Sequence, residues 1–211
     1  MSVALWVLFA CVAIVIAVSI AWRFGARVFR LPCPATFAWV LENDFMEKRG
    51  GSASVVERLR LKPGMRVADI GCGPGRLTLP IAERVGPSGE VVALDLQPKM
   101  IARVERRSRD RNLTNVKTIH SGAGEGKLPK DYFDRAILVT VLGEIPDRQR
   151  ALKEIWSALK PGGFLSITEI LPDPHYQRLS TVRRLTEAAG FRVGDTIASL
   201  FSFTMHVYRP E

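Results

Sequence analysis

The chain has 211 residues, 47% of them hydrophobic, and its 30 Lys+Arg against 21 Asp+Glu give a formal charge of +9. That length suits one domain with a sizeable core, and the positive balance favours anionic partners, lipid headgroups or nucleic acid. The three cysteines, Cys11, Cys33 and Cys72, form no CxxC pair and no metal-ligand spacing, so neither a disulfide framework nor a zinc site is implied.

The first element is set apart by composition. Ser2 to Trp22 holds no charged residue, no proline and no glycine. About 20 apolar residues in a helix cross the roughly 30 Å hydrocarbon core of a bilayer, so residues 2–22 are expected to form a single membrane-spanning anchor. Ser19-Ile20-Ala21 fits the cleavage site of a signal peptide, but the basic n-region of such a peptide is missing. Arg23, Arg27 and Arg30 follow the span, which predicts a single-pass topology with the rest of the chain on the cytoplasmic side.

Residues 23–60 read as a juxtamembrane connector and a helical lid. The stretch Ala35 to Arg60 has helical character broken at Gly50-Gly51, and Phe37, Trp39, Leu41, Phe45 and Met46 are its apolar positions. From residue 61 to 211 the pattern changes to short β-branched runs alternating with amphipathic stretches, the mark of a parallel sheet with crossover helices. Strands are predicted at Arg66 to Ile70, Glu90 to Asp95, Val116 to Ser121, Arg135 to Val139 and Gly163 to Glu169. Helices are predicted at Leu77 to Val85, Pro98 to Arg109, Gln149 to Leu159 and Gln177 to Ala189. Lys160-Pro161-Gly162-Gly163 reads as a turn into the fifth strand, and Phe191 to Ala198 with Phe201 to Arg209 as a closing antiparallel hairpin.

Chemistry concentrates where strands end. Asp69-Ile70-Gly71-Cys72-Gly73-Pro74-Gly75-Arg76 joins a strand to a helix, with an acid followed by three glycines at every second position. Glycines permit a tight turn and let a ligand lie on bare backbone, while the helix start offers unpaired N–H groups. The third glycine comes one place too early for the dinucleotide pattern GxGxxG, and Arg76 stands where that pattern needs glycine, which disfavours a nicotinamide enzyme. The second strand ends in Asp95-Leu96, placing a carboxylate to accept hydrogen bonds from ribose hydroxyls.

This block resembles motif I of the class I S-adenosylmethionine (SAM)-dependent methyltransferases. The likeness runs from about Leu61 to Arg209 and is nearest to the ubiquinone/menaquinone methyltransferase-like, or type 11, branch. It implies a Rossmann-like, doubly wound, mostly parallel seven-stranded α/β sheet with a C-terminal antiparallel hairpin. It also implies SAM as cofactor, held by Asp69, Gly71, Cys72, Gly73, Gly75, Asp95 and Leu96. The family's Gly-Asp-Ala-Glu block corresponds to Gly122-Ala123-Gly124-Glu125, so the adenine rim falls to the backbone of Ala123 and Gly124. Thr140, in Val139-Thr140-Val141-Leu142, matches the wall beside the methyl donor.

For a polar contact with the acceptor, Glu144 and His175 are the candidates after strands four and five, with Glu169 and Tyr176 behind them. The expected activity is methyl transfer to a small, lipophilic or membrane-associated acceptor, with no nucleic-acid partner. Methylation of protein or nucleic acid, or a noncatalytic partner role, are the alternatives. No metal is called for.

Overall fold

The computed structural model describes residues 3–29, 52–171 and 173–211. The first element, α1 (Val3–Phe29), is one continuous helix of 27 residues. It runs past Trp22 and takes in Arg23, Gly25 and Arg27, which the sequence had assigned to the connector. Among residues whose side chains are described, no helix is long and apolar enough to cross a membrane. Residues 2–22 are therefore not shown to be a membrane span. The lid residues Phe37, Trp39, Leu41, Phe45 and Met46 lie outside the described residues.

The body begins with α2 (Ser52–Arg58) and β1 (Arg66–Ile70), followed by α3 (Thr78–Val85), β2 (Glu90–Asp95), α4 (Pro98–Asp110), β3 (Val116–His120) and β4 (Phe133–Val139). Next come α5 (Arg148–Ala158), β5 (Leu159–Ile170), α6 (Leu179–Ala188), β6 (Arg192–Ala198) and β7 (Ser202–Tyr208). The strands form a seven-stranded sheet in the order β3-β2-β1-β4-β5-β7-β6. β1 to β5 run parallel, and β7 is antiparallel to both β5 and β6. The architecture is thus Rossmann-like α/β with an antiparallel C-terminal pair.

Burial explains why these runs became strands. Arg-Val-Ala-Asp-Ile of β1 and Glu-Val-Val-Ala-Leu-Asp of β2 are buried after their first residue, as central parallel strands covered on both faces must be. Ala68, Ile70, Leu94, Leu138 and Ile167 pack on one face with Leu152 and Ile155 of α5. Val67, Val91, Ile137 and Phe164 pack on the other with Ile81 and Val85 of α3 and Val55 of α2. Arg58 of α2 donates to Thr204 Oγ1 at 2.7 Å, and Arg135 donates to Leu59 O at 3.0 Å while its guanidinium lies 4.3 Å over the Phe164 ring.

One local expectation is corrected. Lys160-Pro161-Gly162-Gly163 does not precede the fifth strand but lies within it. Phe133 pairs with Leu159 and Arg135 with Phe164, so residues 160–163 bulge opposite Asp134. Gly162 takes φ +75° there, donates to Arg209 O, and Gly163 accepts from Arg209 N–H. Pairing with the last strand converts a turn signal into a β-bulge.

The chain leaves β1 on one side towards β2 and returns on the other at β4, so the strand order reverses between them, and a crevice opens at their carboxyl ends. Leu138 of β4 is fully buried at the centre of the sheet. Leu138→Ala is expected to lower the unfolding free energy by about 3 kcal/mol, read as a lower urea midpoint at unchanged slope.

Candidate functional site

A cavity of about 430 Å³ lies at that crevice, within the range of small-molecule sites. Of the residues singled out from the sequence, Asp69, Gly71, Cys72, Gly73, Asp95, Leu96, Ala123, Gly124, Thr140 and Glu144 line it. Gly75 and His175 do not.

The glycine loop is built by contact as well as by conformation. Gly71 has φ +70°, and a Cβ there would come within 2.5 Å of Val141 Cγ2, so no other residue fits. Gly75, at φ +86°, has Val104 of α4 3.2 Å from its would-be Cβ. Its role is close packing of loop on helix rather than lining the cavity. The loop is fastened at three points: Gly71 and Cys72 N–H groups donate to Leu94 O, and Gly73 N–H donates to Asp95 Oδ2 at 2.9 Å. Arg107 of α4 braces it from outside through Pro74 O at 2.9 Å.

Asp95 therefore does more than the sequence suggested. Its Oδ1 accepts from Gln97 N–H at 2.8 Å, so one carboxylate ties the loop after β1 to the start of α4. Burial raises its pKa, and the Gln97 and Gly73 N–H groups pull it back down. A carboxylate oxygen has two acceptor positions, so both oxygens keep capacity for ribose hydroxyls at the cavity wall.

Asp69 is buried in the same wall, and Thr78 Oγ1 donates to its Oδ2 at 2.6 Å. Burial pushes it up to about 6, the Thr78 hydrogen bond acting against that shift. Thr78 was not read as a site residue; its position in the first turn after the glycines was the available signal. The Cys72 thiol is raised well above its ordinary value by burial and by the Asp69 and Asp95 charges. It is a neutral wall group, not a nucleophile.

At the adenine side, Ser121 N–H donates to Asp95 O, and Ser121 Oγ donates to Glu125 Oε2 at 2.8 Å. Gly124 N–H is engaged by Glu154 Oε2 at 2.6 Å. Of the two backbone positions expected at an adenine rim, Gly124 therefore has its N–H engaged within the protein, and both line the cavity. Thr140 follows β4 with φ +57°, uncommon for a β-branched residue. It is held there by donating its N–H to Thr168 O at 2.9 Å.

Glu144 is half-buried on the cavity wall, where Arg76 and Arg150 also reach. His175 is buried outside it. A Cβ on Gly143 would meet His175 O at 1.9 Å, so His175 supports, by its backbone, the loop that carries Glu144. Gln177 completes this support, donating from Nε2 to His175 O at 2.7 Å and from N–H to Glu169 Oε2 at 2.9 Å. Glu169 is buried, its Oε1 has no partner, and burial pushes its carboxyl up to about 7.

Residues 67–163 match a protein family described as a methyltransferase domain. A demethylmenaquinone methyltransferase of Geobacillus sp. (strain WCH70) is 37% identical over 108 residues, 51% of this chain and 46% of that one. A SAM-dependent methyltransferase from Aquifex aeolicus superposes with a TM-score of 0.77 at 23% identity, covering 83% of this chain and 98% of that one. Phosphoethanolamine N-methyltransferase 2 of Haemonchus contortus, bound to S-adenosylhomocysteine, gives a TM-score of 0.66 at 16% identity, covering 77% and 53%. Residues 67–163 thus carry the likeness to a methyltransferase domain, and the fold is shared with SAM-dependent methyltransferases of known structure. The chain spans about half the length of the curated relatives it matches.

The residues present fit SAM on structural grounds. The loop backbone is bare where Val141 excludes any side chain at Gly71, Asp95 presents carboxylate oxygens, and Asp69 is a buried acid that a cationic ligand group would neutralise.

Two measurements follow from these carboxylates. Asp95→Asn keeps one acceptor oxygen and loses the charge. Losing a charged hydrogen bond of about 1.5–3 kcal/mol predicts SAM binding weaker by roughly ten- to a hundredfold by calorimetric titration. Glu169 is raised to about 7 in the folded chain against an ordinary carboxylate value. Between those values the unfolded chain ionises first, so rising pH lowers stability until about 7 and leaves a constant deficit above it. Glu169→Gln should match the wild type at pH 4 and exceed it at pH 8 by on the order of 2 kcal/mol in urea denaturation.

Proposed function

We propose that this protein methylates a small lipophilic acceptor of the quinol type at a membrane surface, with α1 as its anchor. The observation that supports the acceptor class is the sequence likeness to enzymes named for demethylmenaquinone, 37% identical over about half of this chain.

SAM supplies a methyl group on a positively charged sulfur, which a nucleophile displaces in line. The chain's contribution is to hold, orient and exclude water. Asp95 and the loop from Gly71 to Gly73 fix the nucleoside end, and ionised Asp69 favours the positive charge of the donor. Thr140 and Val141 form the wall that the two reactants share. Attack by a quinol ring carbon would form the new carbon–methyl bond as the sulfur–methyl bond breaks and the neutral thioether leaves, and the proton then released from that carbon or from a ring hydroxyl must go to a base. Glu144, on the cavity wall directly after Val141-Leu142-Gly143, is the carboxylate proposed to accept it. His175 is assigned the supporting role described above and no contact with the acceptor.

The anchor reading rests on length and composition. No helix among the described residues is by itself long and apolar enough to cross a membrane, so the reading rests on residues 2–22, which hold no charged residue and as a helix would extend about 30 Å at 1.5 Å per residue. The side chains described in α1, among them Trp6, Phe9, Ile14, Val18 and Ile20, are exposed rather than packed on the body. Arg23, Arg27 and Arg30 then favour placing the catalytic domain on the cytoplasmic side.

The test is single-turnover methyl transfer to reduced demethylmenaquinone in vesicles, with product measured by mass. The full chain should form methylated quinol, and Glu144→Gln should lower kcat by about a hundredfold or more without weakening SAM binding. Absence of transfer by a SAM-binding wild type would remove the quinol acceptor. An unchanged kcat in the variant would remove Glu144 as base.

A further inference from the structure

Apolar exposure on the body is confined to one edge of the sheet. Outside α1, the exposed large hydrophobic side chains among the described residues are Leu96, Leu171, Ile197, Leu200 and Phe201. Leu96 directly follows β2, and Leu171 directly follows β5. The other three belong to the end of β6 and the turn into β7. That turn lies at the same edge, because β7 runs antiparallel to β5 with Ser202 paired to Ile170. This is the carboxyl edge of the parallel strands, where the cofactor cavity opens, and Leu96 is part of the cavity wall.

The turn is braced. Ser199 N–H donates to Ser202 O at 2.7 Å, the two hydroxyls stand 2.8 Å apart, and Leu171 N–H donates to Phe201 O at 2.7 Å. Leu200, 84% exposed, and Phe201, 58% exposed, are therefore held out into solvent by a fixed backbone. Hairpin turns ordinarily carry polar or small residues.

We propose that this edge, led by Leu200 and Phe201, is a docking surface for a lipid bilayer, through which a lipophilic acceptor passes directly into the cavity. The proposal rests on the membrane-bound, lipophilic-acceptor reading above and adds a second contact that reading does not require. A protein partner fits the surface poorly. The five side chains are spread along an edge, from the end of β2 to the turn before β7, and offer no compact apolar centre of the kind a stable protein interface buries. Shallow insertion of two protruding apolar side chains into a headgroup layer needs no such area. The formal charge of +9 adds attraction to anionic lipid.

The experiment uses the full chain carrying Cys11→Ser and Cys33→Ser, with Cys72 left buried. An environment-sensitive fluorophore is placed at Leu200→Cys or, on the opposite edge, at the exposed Ser88→Cys. Vesicles are an equimolar mixture of phosphatidylcholine and phosphatidylglycerol, with and without brominated acyl chains, and sedimentation with the vesicles is measured in parallel. The expected result is a blue shift and bromine quenching at position 200, neither at position 88, and sedimentation of both. Sedimentation with an unshifted, unquenched label at 200 would overturn the edge contact and leave the α1 reading standing. No sedimentation and no shift would overturn both. Equal quenching at 200 and 88, or a concentration-dependent shift at 200 without lipid, would overturn it in favour of general adsorption or self-association.

Discussion

Asp95 is where the second strand, the glycine loop and the start of the following helix meet. Its two oxygens accept N–H groups from Gly73 and Gln97, positions that the chain separates by 24 residues. Without that bridge the loop after β1 would keep its ties to Leu94 O and Arg107 but lose the one that fixes Gly73 to the start of α4. With it, the backbone of Gly71 to Gly73 is set against Leu94, Val141 fills the space that a Cβ at Gly71 would need, and a bare surface is left facing the cavity. The cofactor cleft thus depends on one carboxylate buried at a strand end, whose pKa burial raises and two amides pull back down.

Most of the body was legible in the sequence because parallel strands buried on both faces leave a plain trace. Val91 to Leu94 is a continuous apolar run that stops at an acid, and Val67 to Ile70 is a run broken only by Asp69 that stops at a glycine. The place of Gly71, Gly73 and Asp95 at the cavity was legible for a related reason: it depends on backbone conformation and on position at a strand end. Lys160 to Gly163 misled because its glycines satisfy a turn and a bulge equally, and Arg209, far along the chain, decides between them. His175 and Gly75 misled differently. A residue beside a site in sequence need not face it, and whether it lines a cavity or supports the wall is settled by contacts with Gly143 and Val104. Thr78 and Gln97 escaped notice because their roles are to satisfy an acid chosen for other reasons.

The two edges of the sheet are built on opposite principles. At the amino edge, charges are matched: Lys117 with Glu90, Lys160 with Asp134, and Arg209 with Asp131, while Asp134 also accepts Arg66 N–H and Glu90 accepts the Tyr132 hydroxyl. Each such pair, largely solvated, contributes little alone, on the order of 0–1 kcal/mol.

At the carboxyl edge the structure carries unmet demands. Asp69 is a buried acid raised to about 6, Glu169 another raised to about 7 with an unpartnered Oε1, and Thr140 keeps a left-handed backbone. Each works against stability, and the continuous core beneath them tolerates all three. The demands also differ in what meets them. A cationic donor would neutralise Asp69, because that carboxylate lines the cavity, whereas Glu169 does not line it and is covered by Gln177. The penalty at Glu169 is instead the consequence of using its other oxygen to hold the segment from His175 to Gln177 against Gly143. A neutral glutamine would hold that segment as well. The distinction between the two acids is therefore geometric, one facing the donor and one fixing the wall, although burial shifts both in the same direction.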